Sequence, residues 1–135
     1  MNKRNGSGYV DLTAHEALSS IAKSEKTKVY KPLVYIASPY AGNVKHNVAQ
    51  AKKYCRFAVS QGCIPLAPHL LYPQFMNDKD PVEREMGLFF ALVLLGKADE
   101  LWVFGDHITK GMALEITKAK RRGMEIKHFG EVAGI

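Results

Sequence analysis

The chain has 135 residues, 47% of them hydrophobic, 24% charged and 10% aromatic, which suffices for one hydrophobic core and is too little for two. Its longest uninterrupted apolar run, residues 88–95, is far short of the roughly 20 residues a bilayer crossing takes, and the polar N-terminus lacks a secretory hydrophobic region. A cytoplasmic globular domain is therefore expected, and its 19 Lys and Arg against 13 Asp and Glu, a formal charge of +6, suit an anionic partner such as a nucleotide or a nucleic acid.

Residues 1–31 are polar and lysine-rich and read as an N-terminal arm ahead of a domain over residues 32–135. The arm has one stretch of helical character, with Asp11 and Thr13 as caps and Ala14, Leu18, Ile21 and Ala22 at helical spacing. From Leu33 the run Leu-Val-Tyr-Ile-Ala, ended by Ser38-Pro39, predicts a strand buried on both faces. Asn43 then caps a helix whose apolar stripe is Val48, Ala51, Cys55, Ala58 and Val59, with Gly62 as the residue that ends it.

Residues 63–67 form a second short apolar run, and Pro65 and Pro68 assign it to a sheet edge. A loop over residues 68–73 is expected next. Asp80, Pro81 and Glu83 open another helix with a cap, a proline at its first position and an acid at its third. The later turns of that helix, residues 88–95, are apolar on every face. They belong inside the core or at half of a subunit interface, which points to a homo-oligomer. Residues 101–104 read as a third buried strand with Asp99 and Glu100 leading in. Gly111 starts a helix with Met112, Ile116 and Ala119 as its buried stripe, Gly123 ends it, and residues 124–129 make the last strand.

Strands and helices thus alternate, which predicts a three-layer α/β sandwich of flavodoxin- or Rossmann-like type with a mostly parallel sheet. A site is then expected at the carboxyl ends of the strands. Three segments fall there: Ser38-Pro39-Tyr40-Ala41-Gly42, the loop holding His69, and Gly105-Asp106 running on to Gly111 and Met112. Gly111 lets backbone N–H groups approach a ligand at a helix N-terminus. Glu115 sits about one turn in, with its side chain leaning back toward the positive helix end, where a carboxylate is expected to stay ionised as a nucleophile must. The competing assignment is a surface Glu115 paired with Lys118 at i+3.

Cys55 and Cys63 are the only cysteines; two thiols can be neither a disulfide scaffold nor a four-ligand zinc site, and both read as small buried hydrophobes. No metal or organic cofactor is expected, and neither phosphate-loop signature, G-x-x-x-x-G-K-[ST] nor G-x-G-x-x-G, occurs.

Val34-Tyr35-Ile36-Ala37-Ser38-Pro39-Tyr40, then Ala98-Asp99-Glu100-Leu101-Trp102-Val103-Phe104-Gly105, then Gly111-Met112-Ala113-Leu114-Glu115-Ile116 with Ala119 and Gly123, together resemble the nucleoside 2-deoxyribosyltransferase-like superfamily, in an uncharacterised branch. The resemblance spans about residues 33–129. It implies that Glu115 is a nucleophile attacking C1′ of a ribosyl or deoxyribosyl group, that Tyr35 and Tyr40 lie along the sugar or base, and that Asp106 stands near the glycosidic bond. A carboxylate suits that chemistry because N-glycosidic cleavage passes through an oxocarbenium-like state that a close anion stabilises and then traps as an ester. The expected function is therefore deoxyribosyl transfer or hydrolysis on a nucleoside or nucleotide, and the alternative is a non-catalytic nucleotide-binding or sensing module. A nucleic-acid partner is not expected, since no recognition helix or interleaving of basic and aromatic residues occurs.

Overall fold

The computed structural model describes Leu18 and residues 30–131. Leu18 is helical; the other positions expected to form the helix of the arm lie outside the described residues. The domain runs β1 (Leu33–Ala37), α1 (Val44–Ser60), β2 (Ile64–Leu66), α2 (Pro68–Leu71), a 3₁₀ turn (Tyr72–Gln74), α3 (Pro81–Leu95), β3 (Glu100–Phe104), α4 (Lys110–Arg121) and β4 (Glu125–Gly130). The four strands form one sheet in the order β2-β1-β3-β4, and every pairing is parallel. This is a flavodoxin-like α/β fold.

The two central strands carry the core. Parallel strands covered on both faces must be apolar at every position, and Val34 to Ala37 and Leu101 to Phe104 are all buried. The alternation of side chains then sorts them into two layers. Val34, Ile36, Trp102 and Phe104 pack under α1 with Tyr54 and Ala58, where Tyr54 stacks on Phe104 at 4.4 Å between ring centroids. Tyr35, Ala37, Leu101 and Val103 pack on the other face against Ala91 and Leu95 of α3 and Met112 and Ala119 of α4. β2 is an edge strand, as its proline requires, since Pro65 has no N–H for a second neighbour.

Several local signals act as expected. The Asn43 side chain accepts from the His46 N–H at 3.2 Å to start α1, and Asp80 accepts from Val82 N–H at 3.0 Å to start α3. Asp99 is a strand-entry residue: its carboxylate accepts from the Leu33 N–H at 2.7 Å, and its own N–H donates to the Leu33 carbonyl at 2.7 Å. Trp102 belongs to the core, with its indole N–H donating to Glu100 at 2.9 Å.

Three expectations are corrected. Residues 68–74 are not a loop but a helical turn followed by a 3₁₀ turn, because Pro68 and Pro73 each occupy a first-turn position where the missing N–H costs nothing. In α1 the buried face is Ala51, Tyr54 and Ala58, whereas Val59 is exposed; the stripe is centred one residue earlier than the apolar count implied. In α4 Ile116 is only half-buried, and Glu115 takes its place between Met112 and Ala119. Of the two places expected for residues 88–95, the core takes in full only Ala91 and Leu95, while Phe89, at 64%, and Val93 stay exposed, as do Val82 and Met86 earlier in α3.

Candidate active site

The carboxyl ends of the strands open into a cavity of about 520 Å³. Its walls come from residues 38–42 after β1, from α2 and the 3₁₀ turn after β2, from the first turns of α3, and from Thr109, Lys110 and Gly111 at the start of α4. In a parallel sheet each helix begins where the preceding strand ends, so these corners must meet at one end of the sheet. Gly105 lets them meet closely. It has φ +101°, and a Cβ there would stand 3.1 Å from the Pro39 ring, so the corner after β3 lies directly against the corner after β1.

Glu115 lies behind the inner wall. The Thr109 hydroxyl accepts from the Met112 N–H at 3.2 Å and starts α4, which puts Glu115 at the sixth helical position on the same face as Met112 and Ala119. Its side chain is 1% exposed. The Tyr35 hydroxyl, reaching from β1, donates to Oε2, and Oε1 has no hydrogen-bond partner among the described residues. His69, on α2, presents Nε2 at 4.0 Å from Oε2 and stacks on Tyr40 with 5.3 Å between centroids. Both rings line the cavity, whereas the Glu115 carboxyl sits behind this wall.

Burial dominates the electrostatics. Loss of water raises the Glu115 carboxyl to about 7, and the hydrogen bond from Tyr35 pulls it part of the way back. Burial and then the neighbouring carboxylate push the Tyr35 phenol up, so that it stays a donor. Burial holds the His69 imidazole below its ordinary value, which makes its approach to Glu115 at neutral pH a contact of a neutral ring with a carboxyl. Two sequence expectations for Glu115 therefore fail. It is not a surface partner of Lys118, and it is not kept ionised by the helix end. The field of a helix terminus is worth about 0.3–1 kcal/mol and fades within the first turn. The desolvation shift corresponds to about 3 kcal/mol.

The remaining sequence candidates separate by position. Ser38, Tyr40, His69 and Gly111 line the cavity. Tyr35 stands behind it on Glu115, Met112 is buried in the core below, and Pro39 and Gly105 close the corner. Asp106 is exposed and outside the lining; its carboxylate faces the His107 ring at 3.0 Å, a contact that holds it below the usual carboxylate range. Thr109, Tyr72, Lys79 and Lys110 also form the wall without having stood out in the sequence, and Arg84 joins them from the start of α3. The Thr-x-x-Met spacing at the start of α4 was the available signal for the cap. The others are ordinary polar or aromatic residues whose convergence no local pattern encodes. Cys55 and Cys63 are free thiols, half-buried, and burial pushes Cys55 up to about 11, so it is inert at neutral pH. Among the described residues no group of three or more His, Cys, Asp or Glu side chains is placed to hold a metal ion, and no helix is long and apolar enough to cross a membrane.

Residues 32–129 match the family described as a domain of unknown function, DUF7768, and the chain belongs to that family. A comparison with curated proteins finds no match.

Proposed function

We propose that this member of the family is a cytosolic enzyme of the nucleoside 2-deoxyribosyltransferase-like superfamily, acting on the N-glycosidic bond of a nucleoside or nucleotide with Glu115 as nucleophile. One observation carries the reading: a nearly inaccessible carboxyl, with one oxygen held by Tyr35 and the other unpartnered among the described residues, lies just behind the His69–Tyr40 wall of the cavity at the strand ends, 4.0 Å from His69 Nε2. A fold has no use for such a group in stability terms, because burying a carboxylate without full hydrogen bonding is costly. Its raised value also suits chemistry at neutral pH, where a large fraction is ionised.

In this reading the substrate enters between the α3 and α4 termini and the His69 ring turns aside to admit the sugar. The free oxygen of Glu115 forms a bond to C1′ as the C1′–N bond breaks. The base leaves with the bonding pair and is protonated from water, and a glycosyl ester remains on Glu115. Water then completes hydrolysis, or a second base completes transfer. Tyr35 orients the carboxylate and favours its charged form. Asp106, exposed beside His107, has no step. Base release from a panel of deoxynucleosides and nucleotides, with and without an acceptor base, tests the reading: release or exchange is expected from the native chain and is lost in Glu115→Gln. Absence of release from every substrate in the panel refutes it.

A second reading, a non-catalytic nucleotide-binding or sensing module on the same cavity, is favoured by one observation: the carboxyl lies behind the His69–Tyr40 wall rather than on it. Tight binding without turnover would select it. We also propose a homo-oligomer joined through α3. Val82, Met86, Phe89 and Val93, all exposed, recur at spacings of 4, 3 and 4, the seam of two packed helices, and a two-fold interface sets one such stripe against its copy.

A further inference from the structure

The cavity wall carries positive charge that glycosidic cleavage by itself does not use. Lys79 just ahead of α3, Arg84 in the first turns of α3 and Lys110 at the first position of α4 all line it. Among the described residues none of the three forms an ion pair within 4.0 Å. The two acids on the same wall are already engaged. Asp78 is turned to the Tyr40 hydroxyl, whose ionisation it opposes, and Glu83 Oε1 accepts from the Asn77 N–H at 2.9 Å.

The helix geometry adds to this charge. α3 and α4, of 15 and 12 residues, both start at the strand carboxyl ends. In α4 the Met112 N–H is taken by the Thr109 cap while those of Lys110 and Gly111, on the cavity wall, have no partner within the helix; α3 starts with Pro81, which has no N–H, and its Val82 N–H is taken by Asp80. The positive start of α4 and three cationic side chains therefore line one space, beside an aromatic wall of Tyr40, His69 and Tyr72. A flat ring system joined to a compact dianion with several acceptor oxygens matches that surface. Arginine binds such a group in a fork, and lysines bind it as point charges.

We propose that the cavity takes a nucleoside monophosphate in preference to the free nucleoside, with Lys79, Arg84 and Lys110 holding the phosphate. The inference rests on the nucleoside reading of the cavity, and it adds the chemical class of the substrate and the residues that select it.

Equilibrium titration of the full chain at pH 7.5 tests it, using the four deoxynucleosides and their 5′- and 3′-monophosphates, alongside base release from the same compounds. At least one monophosphate is expected to bind tenfold or more tightly than its nucleoside. That advantage should shrink by about tenfold in Arg84→Ala and in Lys110→Ala, as the loss of a charge-assisted contact implies, and more salt should reduce it further. Equal binding of monophosphates and nucleosides, or an advantage untouched in both variants, overturns the inference while leaving the glycosidic reading intact. Tighter monophosphate binding with no base release sustains the inference and refutes the enzymatic reading. If none of the compounds binds, both fall.

Discussion

Replacing Glu115 by Gln separates a carboxyl retained for chemistry from one retained for structure. In an unfolded chain its value is near 4.5, and in the fold burial raises it to about 7. The folded state therefore holds the proton more tightly than the unfolded state. The protonated carboxyl's contribution is complete below pH 4.5 and is lost as pH rises through about 7. With 1.36 kcal/mol for each unit, the ionised form burdens the fold by about 3 kcal/mol, undiscounted for solvent screening because the group is 1% exposed. A glutamine has the same shape, its oxygen can accept from Tyr35, and it does not titrate. Whatever its fixed cost, the stability of Glu115→Gln relative to the native chain should improve by about 3 kcal/mol between pH 4.5 and 8. Denaturant unfolding of both proteins at half-unit pH steps measures this difference directly. A relative stability that stays flat across the range refutes the argument, and one that worsens with rising pH would mean a carboxylate stabilised in its charged form.

Other consequences can be checked separately. Tyr35→Phe removes the one donor that favours the charged form of Glu115. The rising limb of the pH profile for kcat/KM should move to higher pH, with roughly a tenfold loss at pH 7; an unchanged limb would sever Tyr35 from the nucleophile. Gly105→Ala forces a side chain to φ +101° and sets its Cβ 3.1 Å from Pro39, so a loss of about 1–3 kcal/mol is expected. Thermal melting reads it as a lowered Tm, and an unshifted Tm contradicts the close corner. Phe89→Glu puts a charge in the centre of the exposed α3 stripe and should convert an oligomer to a monomer in sedimentation velocity at micromolar concentration. A native chain that already sediments as a monomer refutes the oligomer.

Much of the architecture was determined by the sequence alone, since its signals are local and strong. The Leu33 run and Leu101 to Phe104 are apolar at every position, a pattern that only a strand covered on both faces can satisfy. Asn43 and Asp80 sit where orphaned helix N–H groups need acceptors, and Pro65 excludes a central place for β2. Glu115 could be singled out by its place in a glycine-led helix, and the cavity residues Ser38, Tyr40 and His69 by their position after strands.

Tertiary structure alone decided the state of that carboxyl. Helix phase turned Glu115 inward with Met112 and Ala119, and the side-chain alternation of β1 put Tyr35 on the facing layer, 80 residues away in the chain. Burial then outweighed the helix end, because desolvation acts on the full charge while the dipole acts weakly beyond the first turn. The same holds for Lys79, Arg84 and Lys110. They lie in separate segments of the chain, and only the parallel sheet, by starting both helices at the same end, gathers them around one cavity.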